Sequence, residues 1–492
     1  MNLIHRPSPA TSTGDAIPFY HAGIYHIFSL TPPSGTTVYP ARLRTIWSHM
    51  VSTDLVHWEE VLPSLYPSDN PQDPDASGIW TGSVLYGEGK YHAFYTGYSL
   101  SCTYQQTICH ATSEDSIRWT KDSKNPVIIP LVEQYEDLDW RDPYVFFNDE
   151  DGMYWILISA RKKTGAINRR GVIILYRSKD LKTWTYYGPL YEPGNTNCPE
   201  CPEMYKMGKV WYLSYSRFSE FVNTLYRVSD SPFGPWRTPR QDGIGGRRFY
   251  AAKSMQNDQG RRFYFGWAHD RAGNSDTGEW YWGGVFGVPH EVIQNTEGEL
   301  DVKLPEEIEG QMVDPIAWKY KPVEGISRLI TPKIISISSI STTTYGFFNI
   351  QDSGFIFKCT ITPHEARDSF GLLLKSDNEA SSCLVLSFET AMQRVSLLNL
   401  PMSVDPFWQQ SCQAIPEPKD PGPDGFRVCE KPFPIYDNCG ITVKVIVDND
   451  LIELFIGDKI AFSYRSYAQA EHQLGLIVQD GNAEYKDIEI LK

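Results

Sequence analysis

Three acidic residues occupy comparable places in the first, third and fourth copies of one short pattern: Asp15 in Gly14-Asp-Ala16, Asp142 in Arg141-Asp-Pro143 and Glu200 in Glu200-Cys-Pro202. Each lies about nine residues upstream of a glycine that opens a strand-like run. Three carboxyl groups are the equipment for cleaving a glycosidic bond. One protonates the leaving oxygen and a second attacks the anomeric carbon or activates water. A third can bind sugar hydroxyls whose hydrogen bonds tighten as positive charge develops. Arg141 favours the ionised, acceptor-only form of Asp142 that hydroxyl binding needs. Glu200 sits among Cys and Pro with Met204 and Tyr205 nearby, apolar surroundings that raise a carboxyl pKa and suit an acid/base; Glu203 is its rival. Asp15 precedes the apolar run Ala-Ile-Pro-Phe19, where a lone Asp has no structural purpose. Singly, any of them could be an ordinary ion-pairing or loop residue. Their common phase favours the catalytic reading.

The same phase brings wall candidates for a sugar site. Trp80-Thr81-Gly82-Ser83 offers an aromatic platform and two hydroxyls, and Tyr250 and Trp47 are further aromatic candidates. Aromatic faces pack on the C–H surface of sugars, although core packing explains any one of them equally well.

The positioning elements are five copies of a strand pattern, opening at Gly23, Gly89, Gly152, Gly208 and Gly260. Short strands at such spacing predict a five-bladed β-propeller, one blade per copy, with residues of equal phase converging on the axis. A second periodic feature supports this: Ser52-Thr-Asp54 before Trp58, Ser113-Glu-Asp115 before Trp119, Ser178-Lys-Asp180 before Trp184 and Asp230 before Trp236. These read as an Asp closing a turn and a Trp packing between blades, with no catalytic part.

Beyond Glu299 the pattern changes. Residues 301–329, rich in Pro, Glu and Lys, read as a linker, and 330–492 as alternating strands of a jelly-roll-like β-sandwich; the propeller is assigned to 1–300. The sandwich lacks a row of exposed aromatics and reads as a buttress. Residues 402–438, holding Cys412 and Cys429, read as a long Pro-rich insert.

Composition bounds the function. A net charge of −15 argues against nucleic acid, whose affinity rests on Lys and Arg. No apolar run approaches the roughly 18 residues that span a membrane. Nine cysteines, including Cys198-Pro-Glu-Cys201 without a second pair or a His cluster, favour buried thiols over a metal or redox centre. With no signal-type core in Met1–Thr13 and no Asn-x-Ser/Thr sequon, a cytoplasmic protein is expected, a secreted mature form being the alternative.

The motifs together resemble glycoside hydrolase family 32, the invertase, inulinase and levanase family. Trp47-Ser-His-Met-Val-Ser-Thr-Asp-Leu-Val-His-Trp58 is similar to the family's W-G-H-x-x-S-x-D-L-x-H-W, and Gly78-Ile-Trp-Thr-Gly-Ser83 to its F-S-G-S segment. Arg141-Asp-Pro143 and Glu200-Cys-Pro202 look like its R-D-P and E-C-P. Phe249-Tyr-Ala251, Gly266-Trp267, Pro289 and the run Leu451–Ser466 resemble later landmarks. The resemblance implies a propeller plus sandwich, a small carbohydrate substrate and a retaining double displacement on terminal β-fructofuranosides such as sucrose or fructans. Asp15 would be nucleophile, Glu200 acid/base and Asp142 transition-state stabiliser supported by Arg141, with no metal or cofactor. The first motif departs from the family's W-M-N-D-P-N-G. Both asparagines are absent from Ser12-Thr-Gly-Asp15-Ala-Ile-Pro-Phe19, Asp15 falls one residue out of register, and Ser29 or Leu30 stands where the family has Gln. A fructosyltransferase, an inverting arabinanase- or xylosidase-like furanosidase and a decayed sugar-binding protein are the alternatives.

Overall fold

A computed structural model describes residues 12–219, 221–350, 352–401 and 424–492. The chain forms two compact units: residues 12–270 with 281–307, and residues 271–280 with 308–492. The division differs from the sequence expectation, because 271–280 folds with the second unit while 301–307 stays with the first.

The first unit is a five-bladed propeller of antiparallel sheets. Blade 1 runs Ala16–His21, Ile24–Thr31, Ile46–Ser52, Glu59–Leu65, and blade 2 Gly78–Gly87, Lys90–Tyr98, Gln106–Ser113, Thr120–Lys121. Blade 3 comprises Tyr135–Asn148, Met153–Lys162, Gly171–Ser178 and Thr185–Tyr191; blade 4 comprises Glu200–Met207, Val210–Arg217 and Asn223–Ser229. Blade 5 is built on Tyr250–Gln256, Arg262–Arg271, His290–Gln294 and Leu300–Lys303.

The Ser-x-Asp repeats shape the outer turns. Asp54, Asp115 and Asp180 each accept two backbone N–H groups at 2.7–2.9 Å, and the next residues, Leu55, Ser116 and Leu181, take left-handed φ values of 58–68°. These bonds orient the tryptophans that follow. Trp119 of blade 2 meets Phe28 of blade 1 edge-on at 5.9 Å, and Trp184 of blade 3 meets Phe94 of blade 2 at 5.3 Å. Trp58 of blade 1 meets Phe265 of blade 5 at 6.0 Å. That contact joins blade 5 back to blade 1 and closes the ring.

The second unit is a β-sandwich whose core joins side chains such as Phe355, Phe357, Leu372, Leu386, Val445, Leu454 and Leu476. The stretch 301–329 is not a bare linker. It contributes strand Leu300–Lys303 to blade 5, and Tyr320–Glu324 and Ile326–Thr331 pair with Ile334–Phe348 of the sandwich. Ile326-Ser-Arg-Leu-Ile330 has no period-two alternation, so this strand is fixed by its pairing and not by a local pattern. Of the expected insert 402–438, residues 402–423 lie outside the described residues, whereas Arg427–Pro432 is a strand paired with Arg394–Leu400. Buried Cys429 and Val428 serve that strand's core face.

Candidate active site

One irregularity, repeated blade after blade, builds the site. In blades 3, 4 and 5 the innermost strand carries a left-handed bulge at one level, and blade 2 slips at the same level between Ile79 and Gly82 without a left-handed residue. The register slips between Arg141 and Tyr144, between Glu200 and Glu203, and between Tyr250 and Lys253. The residue inside each bulge is left-handed: Asp142 (φ 58°), Cys201 (49°) and Ala251 (48°). Such backbone costs about 1–3 kcal/mol at a non-glycine residue and re-aims side chains. Arg141, Glu200 and Tyr250 are therefore equivalents, and Asp142 is the equivalent of Cys201. The common phase inferred from the sequence is off by one for Asp142, because the hairpin after the bulge is longer in blade 3, where Asn148 pairs with Met153, than in blade 4, where Met207 pairs with Val210.

The bulges open into a cavity of about 270 Å³ lined by Asp15, Asp142, Glu200, Arg141, Trp80 and Thr81 among others. Asp15 lies just before the first strand of blade 1. Its carboxylate accepts hydrogen bonds from Trp267 Nε1 (2.9 Å) and the Thr81 hydroxyl, and Cys201 Sγ lies 3.7 Å away. Gly14 precedes it because a side chain there would strike the Trp282 ring at 2.6 Å, and Trp282 is a cavity wall. Asp142 Oδ2 accepts the Cys201 N–H at 2.9 Å and lies 3.8 Å from the same Sγ, so Asp15 and Asp142 flank one thiol.

Glu200 is clamped by its equivalents. Arg141 Nη2 donates to Oε1 at 2.8 Å and the Tyr250 hydroxyl donates to Oε2. Arg141 also binds Asp139, which pairs with Arg161 at 3.0 Å. Burial pushes the carboxyls of Asp15, Asp142 and Glu200 above their ordinary range; Arg141 pulls the last two back, and the charge of Glu200 pushes Asp15 up further. Three acids in one partly desolvated cavity cannot all ionise freely.

Arg141, Trp80 and Thr81 line the cavity, and Tyr250 acts through Glu200. Three other expected wall residues do not. Trp47 is fully buried in the core between blades 1 and 2, its indole N–H donating to the Trp80 carbonyl at 3.0 Å. Ser83 is a buried rivet between blades 2 and 3, donating to Pro143 O and accepting from Val145 N, both at 2.9 Å. Glu203 points away from the cavity, fully buried and bound to Ser254 and Arg262. Position explains the last two: Ser83 and Glu203 sit past the bulge, where strand alternation turns or sinks the side chain.

Sequence reasoning missed Leu30, Leu43, Thr45, Gln106, Leu138, Asp139 and Trp282 in the lining and Trp267 against Asp15. Several lie on second strands or connections, outside the phase of the inner strands. Cys198 and Cys201 are buried free thiols, and burial pushes both thiol pKa values up.

A propeller whose axis holds buried acids, followed by a β-sandwich, defines a class of sugar-cleaving folds. The pattern "Glycosyl hydrolases family 32 N-terminal domain" matches residues 16–303, and "Glycosyl hydrolases family 32 C terminal" matches 331–492. The chain belongs to that family. It is 27% identical over 372 residues to a cell wall β-fructofuranosidase of Pisum sativum, covering 68% of this chain and 64% of that one. It is 28% identical to a fructan 1-exohydrolase of Triticum urartu over 61% of this chain and 53% of that one. The chain thus spans less than two thirds of these relatives' lengths. Two solved structures share the fold. Sucrose-6-phosphate hydrolase from Lactobacillus gasseri has a TM-score of 0.71 at 21% identity, covering 98% of this chain and 91% of its own. Fructan 1-exohydrolase IIa from Cichorium intybus has 0.71 at 19%, covering 99% and 96%.

Proposed function

We propose that this protein hydrolyses terminal β-fructofuranosides by a retaining double displacement. The observation carrying this is the difference in how two acids of one cavity are held. Asp15 accepts two strong donors and makes no direct ion pair among the described residues, an environment that fixes a carboxylate for in-line attack on an anomeric carbon. Glu200 is held by Arg141 and Tyr250 with its pKa raised by burial, as an acid that must give and retrieve a proton requires. Asp142, locked by the Cys201 N–H, would take sugar hydroxyls and steady the oxocarbenium-like transition state. Relatives named β-fructofuranosidase and fructan 1-exohydrolase support a fructofuranoside as glycone, and a cavity of about 270 Å³ suits one furanose ring.

The reading is tested by incubating the protein with sucrose, inulin and an aryl β-fructofuranoside in methanol–water. NMR of the first-formed methyl fructoside should show the β configuration. An α product would replace the double displacement by inversion, and no turnover of any of the three would remove the activity.

A further inference from the structure

One level beneath the acids lies a charge that the proposed reaction does not use. The residue past the bulge is Gly82 in blade 2, Tyr144 in blade 3, Glu203 in blade 4 and Lys253 in blade 5. Lys253 is 1% exposed. Its ammonium reaches across the axis to the Gly82 carbonyl and lies 5.4 Å from the centre of the Tyr144 ring. Both contacts are neutral. No side chain fits at Gly82, since a Cβ there would lie 2.0 Å from the Phe94 carbonyl oxygen of the neighbouring strand. Glu203, the anion of the same layer, is taken by Ser254 and Arg262, with Arg262 3.4 Å away. The other charged or titratable groups acting on Lys253 are Asp15, Asp142 and the Cys201 thiol above it.

Burying an ammonium against neutral partners is costly unless its field is used elsewhere. We propose that Lys253 is a positioning residue that keeps Asp15 and Asp142 ionised, so that the proton of the acid cluster stays on Glu200. The inference rests on the roles assigned above. The charges then balance: Asp15 and Asp142 are matched by Arg141 and Lys253, Asp139 is paired with Arg161, and Glu200 is neutral while it waits to protonate the leaving oxygen. Without Lys253 the same cluster carries one uncompensated negative charge, and a proton would be drawn onto the nucleophile.

Lys253→Met tests this through two readouts. The first is the pH profile of kcat/KM on an aryl β-fructofuranoside. An opposite charge at close range lowers a carboxyl pKa by about 1–3 units, so removing it should move the acid limb up by at least about one pH unit. An acid limb that stays in place in the folded variant overturns the proposal, provided the wild type turns over; if the wild type is inactive, the hydrolase reading itself has failed. The second readout needs no activity. Carboxyls left without their cation have raised native pKa values, so the variant's deficit in Tm should shrink as pH falls from about 7.5 to about 5. A deficit equal at both pH values marks a packing role and overturns the proposal. A variant folded only at the lower pH supports it, and one folded at neither overturns it.

Discussion

Glu200→Gln separates proton transfer from every other part of the site. The carboxyl accepts from Arg141 Nη2 at 2.8 Å and from the Tyr250 hydroxyl. A glutamine keeps one acceptor and sets its NH₂ against the other donor, which costs about 1–3 kcal/mol of local stability. The loss in rate is larger. General acid catalysis contributes roughly 10²–10⁴-fold, or about 3–5 kcal/mol of barrier. That loss should fall on substrates whose leaving group needs the proton. With sucrose, kcat/KM should drop by about 10³–10⁴-fold, and with a nitrophenyl β-fructofuranoside, whose phenolate leaves unaided, by about tenfold or less. Azide, an anion that needs no general base, should restore release of the sugar from the Asp15 ester as fructosyl azide. The pH profile should change as well. Glu200 has its native pKa raised by burial, so wild-type activity is present while it is protonated and is lost as pH rises through that value; the variant should lack this basic limb. Equal losses on both substrates, or a basic limb that persists, would refute the assignment of Glu200 as acid/base.

Other outcomes follow from the same contacts. Tyr250→Phe removes a hydrogen bond that favours ionised Glu200, so the basic limb of kcat/KM should move to higher pH; a downward move would contradict the geometry. Ser83→Ala strands Pro143 O and Val145 N–H between blades 2 and 3, and denaturant melts should show a loss of about 1–3 kcal/mol while both limbs of the pH profile stay put. Arg262→Met leaves Glu203 a buried, unpaired charge and should cost about 3–5 kcal/mol at neutral pH by the same measurement. Since burial already raises the Glu203 pKa, this loss should lessen as pH falls and Glu203 takes up a proton.

Much of the architecture is written along the chain because it depends on local pattern. Glycine-opened strands, Ser-x-Asp turns and the tryptophans after them recur at blade spacing, and each acts through bonds within a few residues or through one adjacent blade. The identities of Asp15, Asp142 and Glu200 as candidate acids came from the same regularity. The strands at 320–331 stayed hidden because Lys321, Pro322, Glu324 and Gly325 break up any apolar alternation, and pairing with Ile334–Phe348 is decided by the partner strand.

What the tertiary structure alone decided is which side chains face the axis. The hairpin after the bulge spans residues 149–152 in blade 3 but only 208–209 in blade 4, so the paired register makes Glu200 the counterpart of Arg141 rather than of Asp142. It also sinks Glu203 into an ion pair and turns Ser83 into a rivet, although both are polar residues of the searched segments. Strand alternation has a period of two, so a shift of one residue exchanges wall for core, and only the paired register across neighbouring strands reveals it.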